Sequence, residues 1–344
     1  MSSQNARRPR RLITRRRGLA VFGSVALLAV SLIAGCGGAG NAPAAAGSVE
    51  GSSSATTENA KVKVVASFYP MADFASKVGG NHVQVENLVP AGVEPHEWEP
   101  APKDIKAIEG ADLFVYNGAD MEGWVADTLE SVDTSKVAVV EASRGIKLRE
   151  ADHSHEAEGD QTEEHEHTGE HDPHVWVSPK NALHELGNIK DGLVKADPDH
   201  KADYEANYKE YAAKFEALDK EYAEKLGATK GKTIVVSHEA YGYLCDEFGL
   251  TQMPITGMDA EGEPDAQTMA QIVDFVKQHN VKVIFSEDLV SPKVAQAIAD
   301  ETGAKCEQLN PIEGLTDKQL KAGEDYLSVM EDNLDKLVDA LNRE

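Results

Sequence analysis

The sequence predicts an α/β fold of two (β/α) lobes with mostly parallel sheets, joined by one long rigid helix. Three observations predict it. From residue 61, strand-length apolar runs alternate with helix-length stretches; the pattern restarts after residue 230; and residues 199–226 between the halves lack glycine and proline. Such alternation calls for parallel strands covered by helices on the sheet faces.

Taken in order, the chain opens with residues 1–35, which carry seven arginines and no acid, then an apolar stretch over 19–34. A basic start, a short apolar run and small residues describe a secretory signal rather than a membrane span. Leu32-Ile33-Ala34-Gly35-Cys36 resembles a bacterial lipobox, in which Cys36 becomes the lipidated first residue of the mature chain. That places the protein outside the cytoplasm and attached to a membrane; an uncleaved anchor is the alternative. Residues 37–60 are almost all small or polar, and 36–60 read as the lipidated cysteine with a flexible tether spanning roughly 25–30 Å.

The N-terminal lobe, 61–198, begins with VKVVAS (62–67), a helix near Pro70 and VQVENLV (83–89), and continues with short runs at 113–117 and 137–141. In the bridging segment 199–226, Tyr204, Tyr208, Tyr211, Phe215, Leu218 and Tyr222 recur at alternating four- and three-residue spacing. That is one face of a helix, read here as core packing, and its length of roughly 42 Å makes it a stiff beam. The C-terminal lobe, 227–344, repeats the pattern with TIVVS (233–237), 252–256, VKVIFS (281–286) and 304–309, with helices at 240–248, 266–279, 292–302 and 326–342.

The chain's 34 basic residues, less the seven arginines of the signal, leave 27 against 59 acidic ones, a formal −32 in the mature chain. A surface so acidic repels nucleic acid and gathers cations, so no nucleic acid is expected as a partner. Cys36 aside, the cysteines are Cys245 and Cys306. Two cysteines in an exported domain predict a disulfide between them, with thiolate ligation as the alternative.

Three histidines occupy loop contexts suited to metal ligation: His96 in VEPHEWEP, His174 in HDPHVWVSP and His238 closing TIVVSH. Imidazole is a common zinc ligand, and the three lie too far apart in sequence for a zinc finger, so tertiary structure must build any shared site. His238 and Glu287 directly follow predicted strands, and His96 lies in a loop after one. Ligands of open parallel sheets bind outside the carboxyl ends of strands, which puts these residues in the cleft between the lobes. Pro95 and Pro173 stiffen the approach to two of them. The segment 152–172 is acidic and low in complexity and carries His153, His155, His165, His167 and His171. It reads as a mobile loop that either collects zinc weakly beside the tight site or is simply solvated. His82, His184, His200 and His279 read as ordinary polar positions.

The segments EPHEWEPAPKD, DPHVWVSPKNA, SHEAYGYLCDEFGL and FSEDLVSPKVAQAIADETGAK together resemble, in order and context, the metal-site segments of the cluster A-I metal-binding lipoproteins of ABC importers. The likeness is to their zinc-uptake branch of solute-binding proteins and covers 61–344. It implies a two-lobed fold with a bridging helix, one Zn2+ in the cleft, a monomer, and delivery to an ABC permease with its ATPase. It also implies that His96, His174 and His238 are the metal ligands. Manganese-type relatives carry a carboxylate at the third position and an aspartate where this chain has Ser291; His238 therefore points to zinc, in keeping with the nitrogen preference of that ion. Glu287 is the expected fourth donor, with Glu94 or water as alternatives. The competing readings are a manganese receptor of the same family and a zinc hydrolase, but the sequence holds neither an HExxH helix nor a GxSxG elbow, so no enzyme is expected. Isothermal titration of a form lacking residues 152–170 tests the loop: a lost secondary zinc equivalent supports collection, and unchanged stoichiometry refutes it.

Overall fold

In the first half of the chain, strands β1 (Val62–Ala66), β2 (Val83–Asn87), β3 (Leu113–Tyr116) and β4 (Ala138–Glu141) pair in the order β2-β1-β3-β4. In the second half, β5 (Thr233–Val236), β6 (Thr251–Pro254), β7 (Val283–Ser286) and β8 (Lys305–Gln308) repeat that order as β6-β5-β7-β8. Every pairing is parallel, as in Val64 opposite Val85 and Ile284 opposite Cys306. The computed structural model describes residues 61–151 and 169–343. Cys36, the tether over 36–60 and His153, His155, His165 and His167 lie outside the described residues. No described helix is long and apolar enough to cross a membrane.

The helices follow from the same periodicities. α1 (Tyr69–Gly79), α2 (Pro102–Glu109) and α4 (Pro179–Ala196) each carry proline in the first turn, where its missing N–H costs nothing. Short α3 (Val125–Ser131) completes the first half. α5 (Lys201–Gly227) is the predicted beam, starting two residues later than expected because Pro198–His200 form a 3-10 turn. α6 (Gly242–Phe248), α7 (Ala266–Gln278), α8 (Lys293–Thr302), α9 (Asp317–Ala322) and α10 (Tyr326–Asn342) complete the second half. α4 lies close against β4 because position 192 is glycine: a Cβ there would fall 2.2 Å from Val140 Cγ2.

The aromatic stripe of α5 does pack into the core. Tyr204, Phe215, Leu218 and Tyr222 are buried, while Tyr208 and Tyr211 are half-buried at its margin. That core is shared between the halves: Val64 and Phe74 from the first, Val236, Phe285 and Leu334 from the second, and Trp176 and α5 between them belong to one cluster. Phe74, Phe215 and Tyr326 pack ring on ring with centroids 4.9–5.6 Å apart, and the Tyr326 hydroxyl donates to the Trp176 carbonyl at 2.6 Å. Separate clusters cover the outer face of each sheet.

The predicted disulfide is absent, and the placement of the two cysteines on either side of the second sheet explains why. Cys245 and Cys306 are both free thiols. Cys245, on α6, is buried in the shared core, where burial pushes its thiol up to about 12. Cys306, on edge strand β8, packs with Ile284 on the outer face of the same sheet. The sheet itself separates them. Replacing Phe215 with alanine is expected to destabilise the protein by about 3–5 kcal/mol in denaturant unfolding, the usual cost of an aromatic cavity in a core.

Candidate metal centre

Four loops bring four donor atoms to one point at the carboxyl ends of the two sheets. His96 comes from the connection between β2 and α2, and His174 opens the 3-10 turn that leads into α4. His238 stands two residues beyond β5, and Glu313 lies in the loop after β8. His174 Nε2 is 3.1 Å from Nε2 of both His96 and His238. Glu313 Oε1 lies 3.4 Å from His96 Nε2, 3.2 Å from His174 Nε2 and 2.9 Å from His238 Nε2. These four residues form the group of described side chains able to hold a metal ion together. Tetrahedral zinc with bonds near 2.0–2.1 Å sets neighbouring donors about 3.3 Å apart. The observed separations match that spacing.

The opposite edge of two imidazoles is fixed by carboxylates. Asp172 Oδ1 accepts from the backbone N–H of His174 at 3.0 Å and lies 2.9 Å from its Nδ1. Glu287 lies 2.8 and 2.9 Å from His238 Nδ1 and accepts the His238 backbone N–H at 3.2 Å. A carboxylate only accepts, so it keeps the proton on Nδ1 and leaves Nε2 as the donor toward a metal. Asp172 is held in turn by Arg149 Nε at 3.3 Å, and its carbonyl accepts the Tyr243 hydroxyl at 2.8 Å.

Glu287, expected as the fourth donor, lies outside this group, against the Nδ1 edge of His238. It stands one residue past the end of β7, at the crossover between β5 and β7, and from there its carboxylate reaches the near edge of His238. Glu313 completes the group of four instead. Glu94, the other acid considered, folds back to accept the backbone N–H of His96 at 3.0 and 3.1 Å and lies 4.0 Å from Nε2. Burial pushes the Glu94 carboxyl up to about 7, against the pull of His96. Sequence reasoning missed Glu313, although the rule that singled out Glu287 also reaches it: an acid in NPIEGL, a proline- and glycine-bracketed loop after a strand.

The long connection carrying His174 is anchored by an unusual turn. Gly118, Ala119 and Asp120 all have positive φ, 81°, 51° and 66°. Glu122 secures the turn, accepting the backbone N–H groups of Asn117 and Gly118 at 2.8 and 3.0 Å and the Ser67 hydroxyl at 2.6 Å. Burial raises the Glu122 carboxyl to about 7 in spite of these donors. Asn117 Nδ2 then donates to the Pro173 carbonyl at 3.0 Å, next to His174. Asp120 accepts the backbone N–H of His171 at 3.1 Å and lies 3.0 Å from its Nδ1, so His171 is tied at the rim rather than at the centre. The remaining described histidines have other partners: His82 with Asp203, His200 with Asp197, His184 with the Arg144 carbonyl, and His279 against the Phe275 ring.

Burial opposes charge at the centre, yet the carboxylates prevail. His174 is raised above the ordinary histidine value of 6.5 because Asp172 and Glu313 outweigh its desolvation. His238 is raised well above it, against burial, by Glu287 and Glu313. Glu313 itself is held well below the carboxylate range, against burial, by His238, His174 and His96.

The sequence profile of the family described as zinc-uptake complex component A, periplasmic (ZnuA), matches residues 64–340. The high-affinity zinc uptake system protein ZnuA of Bacillus subtilis is 44% identical over 299 residues, covering 87% of this chain and 93% of that protein. Zinc-binding protein AdcA of Streptococcus pyogenes is 41% identical over 286 residues, and the match spans 80% of this chain but 55% of that longer protein. Among solved structures, the Zn(II)-bound ZnuA-like domain of Streptococcus pneumoniae AdcA superposes with a TM-score of 0.71 at 38% identity, over 83% of this chain and 100% of the domain.

Two outcomes are expected. Glu287→Ala should weaken zinc binding about 10- to 100-fold in a chelator competition, as loss of an orienting carboxylate does elsewhere. Zinc must displace protons from His174 and His238, whose values lie above 6.5, so zinc affinity should keep rising as pH passes upward through 6.5 and level off only beyond the raised values. Titrations across that range check the slope; an affinity already flat at 6.5 contradicts it.

Proposed function

The chain belongs to the family of periplasmic zinc-uptake components named ZnuA, and from that premise we propose that it is a high-affinity extracytoplasmic zinc receptor delivering Zn2+ to an ABC-type importer. The observation that carries this reading is the convergence of His96, His174, His238 and Glu313 at the donor spacing of tetrahedral zinc. In it the three imidazoles and the Glu313 carboxylate are the ligands, and Asp172 and Glu287 orient two of them.

The donor set speaks for zinc over manganese, which prefers carboxylate, carbonyl and water oxygens. It also speaks for a carrier over a hydrolase. Catalytic zinc keeps a coordination position open for water or substrate, whereas four protein donors close the tetrahedron here. In this reading Cys36 carries the lipid that holds the mature monomer at the membrane, and the permease with its ATPase receives the ion.

Release has to be local. The halves share one aromatic core, and parting them would expose side chains each contributing about 1.5–3 kcal/mol by burial. A loop that withdraws one ligand needs none of that exposure. Zinc–manganese competition on the stripped protein tests the function. The expected result is one zinc per chain, manganese excluded, and an affinity loss beyond about 100-fold in His238→Ala, more than loss of an orienting residue brings. Manganese bound as tightly as zinc would overturn the proposal.

A further inference from the structure

Glu313 reaches the centre from a backbone held in an unfavourable shape. Ile312, the residue before it, has φ 63° and is fully buried. A β-branched residue in the left-handed region is a genuine outlier, and such a conformation persists only where its surroundings over-determine it. Here Asn310 is what determines it.

Asn310 Oδ1 accepts the backbone N–H of Ile312 at 2.7 Å. Its own backbone N–H donates to Asn333 Oδ1 at 3.0 Å, and Asn333 Nδ2 returns a bond to the Asn310 carbonyl at 2.6 Å. Asn310 Nδ2 donates to Asp288 Oδ2 at 3.0 Å, an oxygen that also accepts Gln319 Nε2 at 3.2 Å. Asn310 and Asn333 are both buried, so these bonds face little competition from water. Two further bonds clamp the loop from the other half of the chain: Trp176 Nε1 to the Pro311 carbonyl at 2.8 Å, and the Gly92 N–H to the Leu315 carbonyl at 3.1 Å. Trp176 belongs to the His174 turn and Gly92 to the His96 loop. The acid arm is thus tied to the loops of the imidazoles it completes.

We propose that Asn310 is a positioning residue for zinc capture: by holding Ile312 left-handed it aims the Glu313 carboxylate at the three imidazoles, and Ile312 is the pivot about which that arm withdraws when zinc is released. The inference rests on Glu313 being the fourth ligand. Rotation at Ile312 removes one donor while His96, His174 and His238 stay in place, so release needs no separation of the halves.

The test uses the full mature chain with Asn310→Ala, Glu313→Gln and the double variant, reading zinc release into a chelator and the visible absorption of the Co2+-loaded protein. Asn310→Ala is expected to speed zinc release about 10- to 100-fold and to shift the cobalt spectrum to that of Glu313→Gln. In the Glu313→Gln background it should add almost nothing. Equal acceleration in both backgrounds, or a wild-type cobalt spectrum in Asn310→Ala, would make Asn310 merely structural and overturn the inference. A wild-type spectrum in Glu313→Gln would instead strike down the fourth-ligand assignment, and the inference with it. Asn333→Ala loosens the same bracket from α10 and carries the same expectations where Asn310→Ala does not fold. Ile312→Gly, which adopts the left-handed region without steric cost, should return the Asn310→Ala spectrum toward wild type; no return counts against the pivot.

Discussion

Three imidazole nitrogens and a carboxylate oxygen converge with contacts of 2.9–3.4 Å, a donor spacing that suits a cation among them. Burying a charge is costly unless it is paired, and burying several lone pairs face to face is costly unless something accepts them. Opposite charges meet that need in part: Glu287 and Glu313 raise His238, and the imidazoles lower Glu313. A divalent ion meets it better. The rest of the molecule is arranged to keep those four atoms where they are.

Each half of the chain supplies two of the donors. His96 and His174 come from the first sheet's loops, His238 and Glu313 from the second's. Parting the halves would divide the site evenly and destroy it, and the shared core through Phe74, Phe215 and Tyr326 resists that motion. Rigidity at the level of the lobes thus leaves the loops as the places where binding and release are controlled. The two adjacent acids after β7 divide the labour: Glu287 orients His238, while Asp288 braces Asn310 behind Glu313.

Much of this was legible in the sequence. The alternation of short apolar runs with helical stretches located all eight strands, and the tyrosine–phenylalanine stripe located the beam, because burial imposes its period on the chain. The three histidines stood out by their loop contexts, two of them behind prolines, and by the resemblance of those segments to one family's. The fourth donor was not legible. Glu287 and Glu313 both follow strands, and only the reach of each side chain decides which edge of His238 it meets. The cysteines failed for a related reason: their number and compartment favour pairing, but Cys245 on α6 packs in the shared core while Cys306 on β8 turns to the outer face of the sheet. The left-handed Ile312 was equally hidden, since nothing in its residue type announces that conformation.

The central claim, that these four side chains close a tetrahedron around zinc, is tested most directly by X-ray absorption at the zinc edge of the loaded protein. The expected first shell has three imidazole nitrogens and one oxygen at about 2.0–2.2 Å, with no sulfur. A shell with fewer than three imidazoles, with sulfur near 2.3 Å, or with five or six oxygen-rich ligands would contradict it.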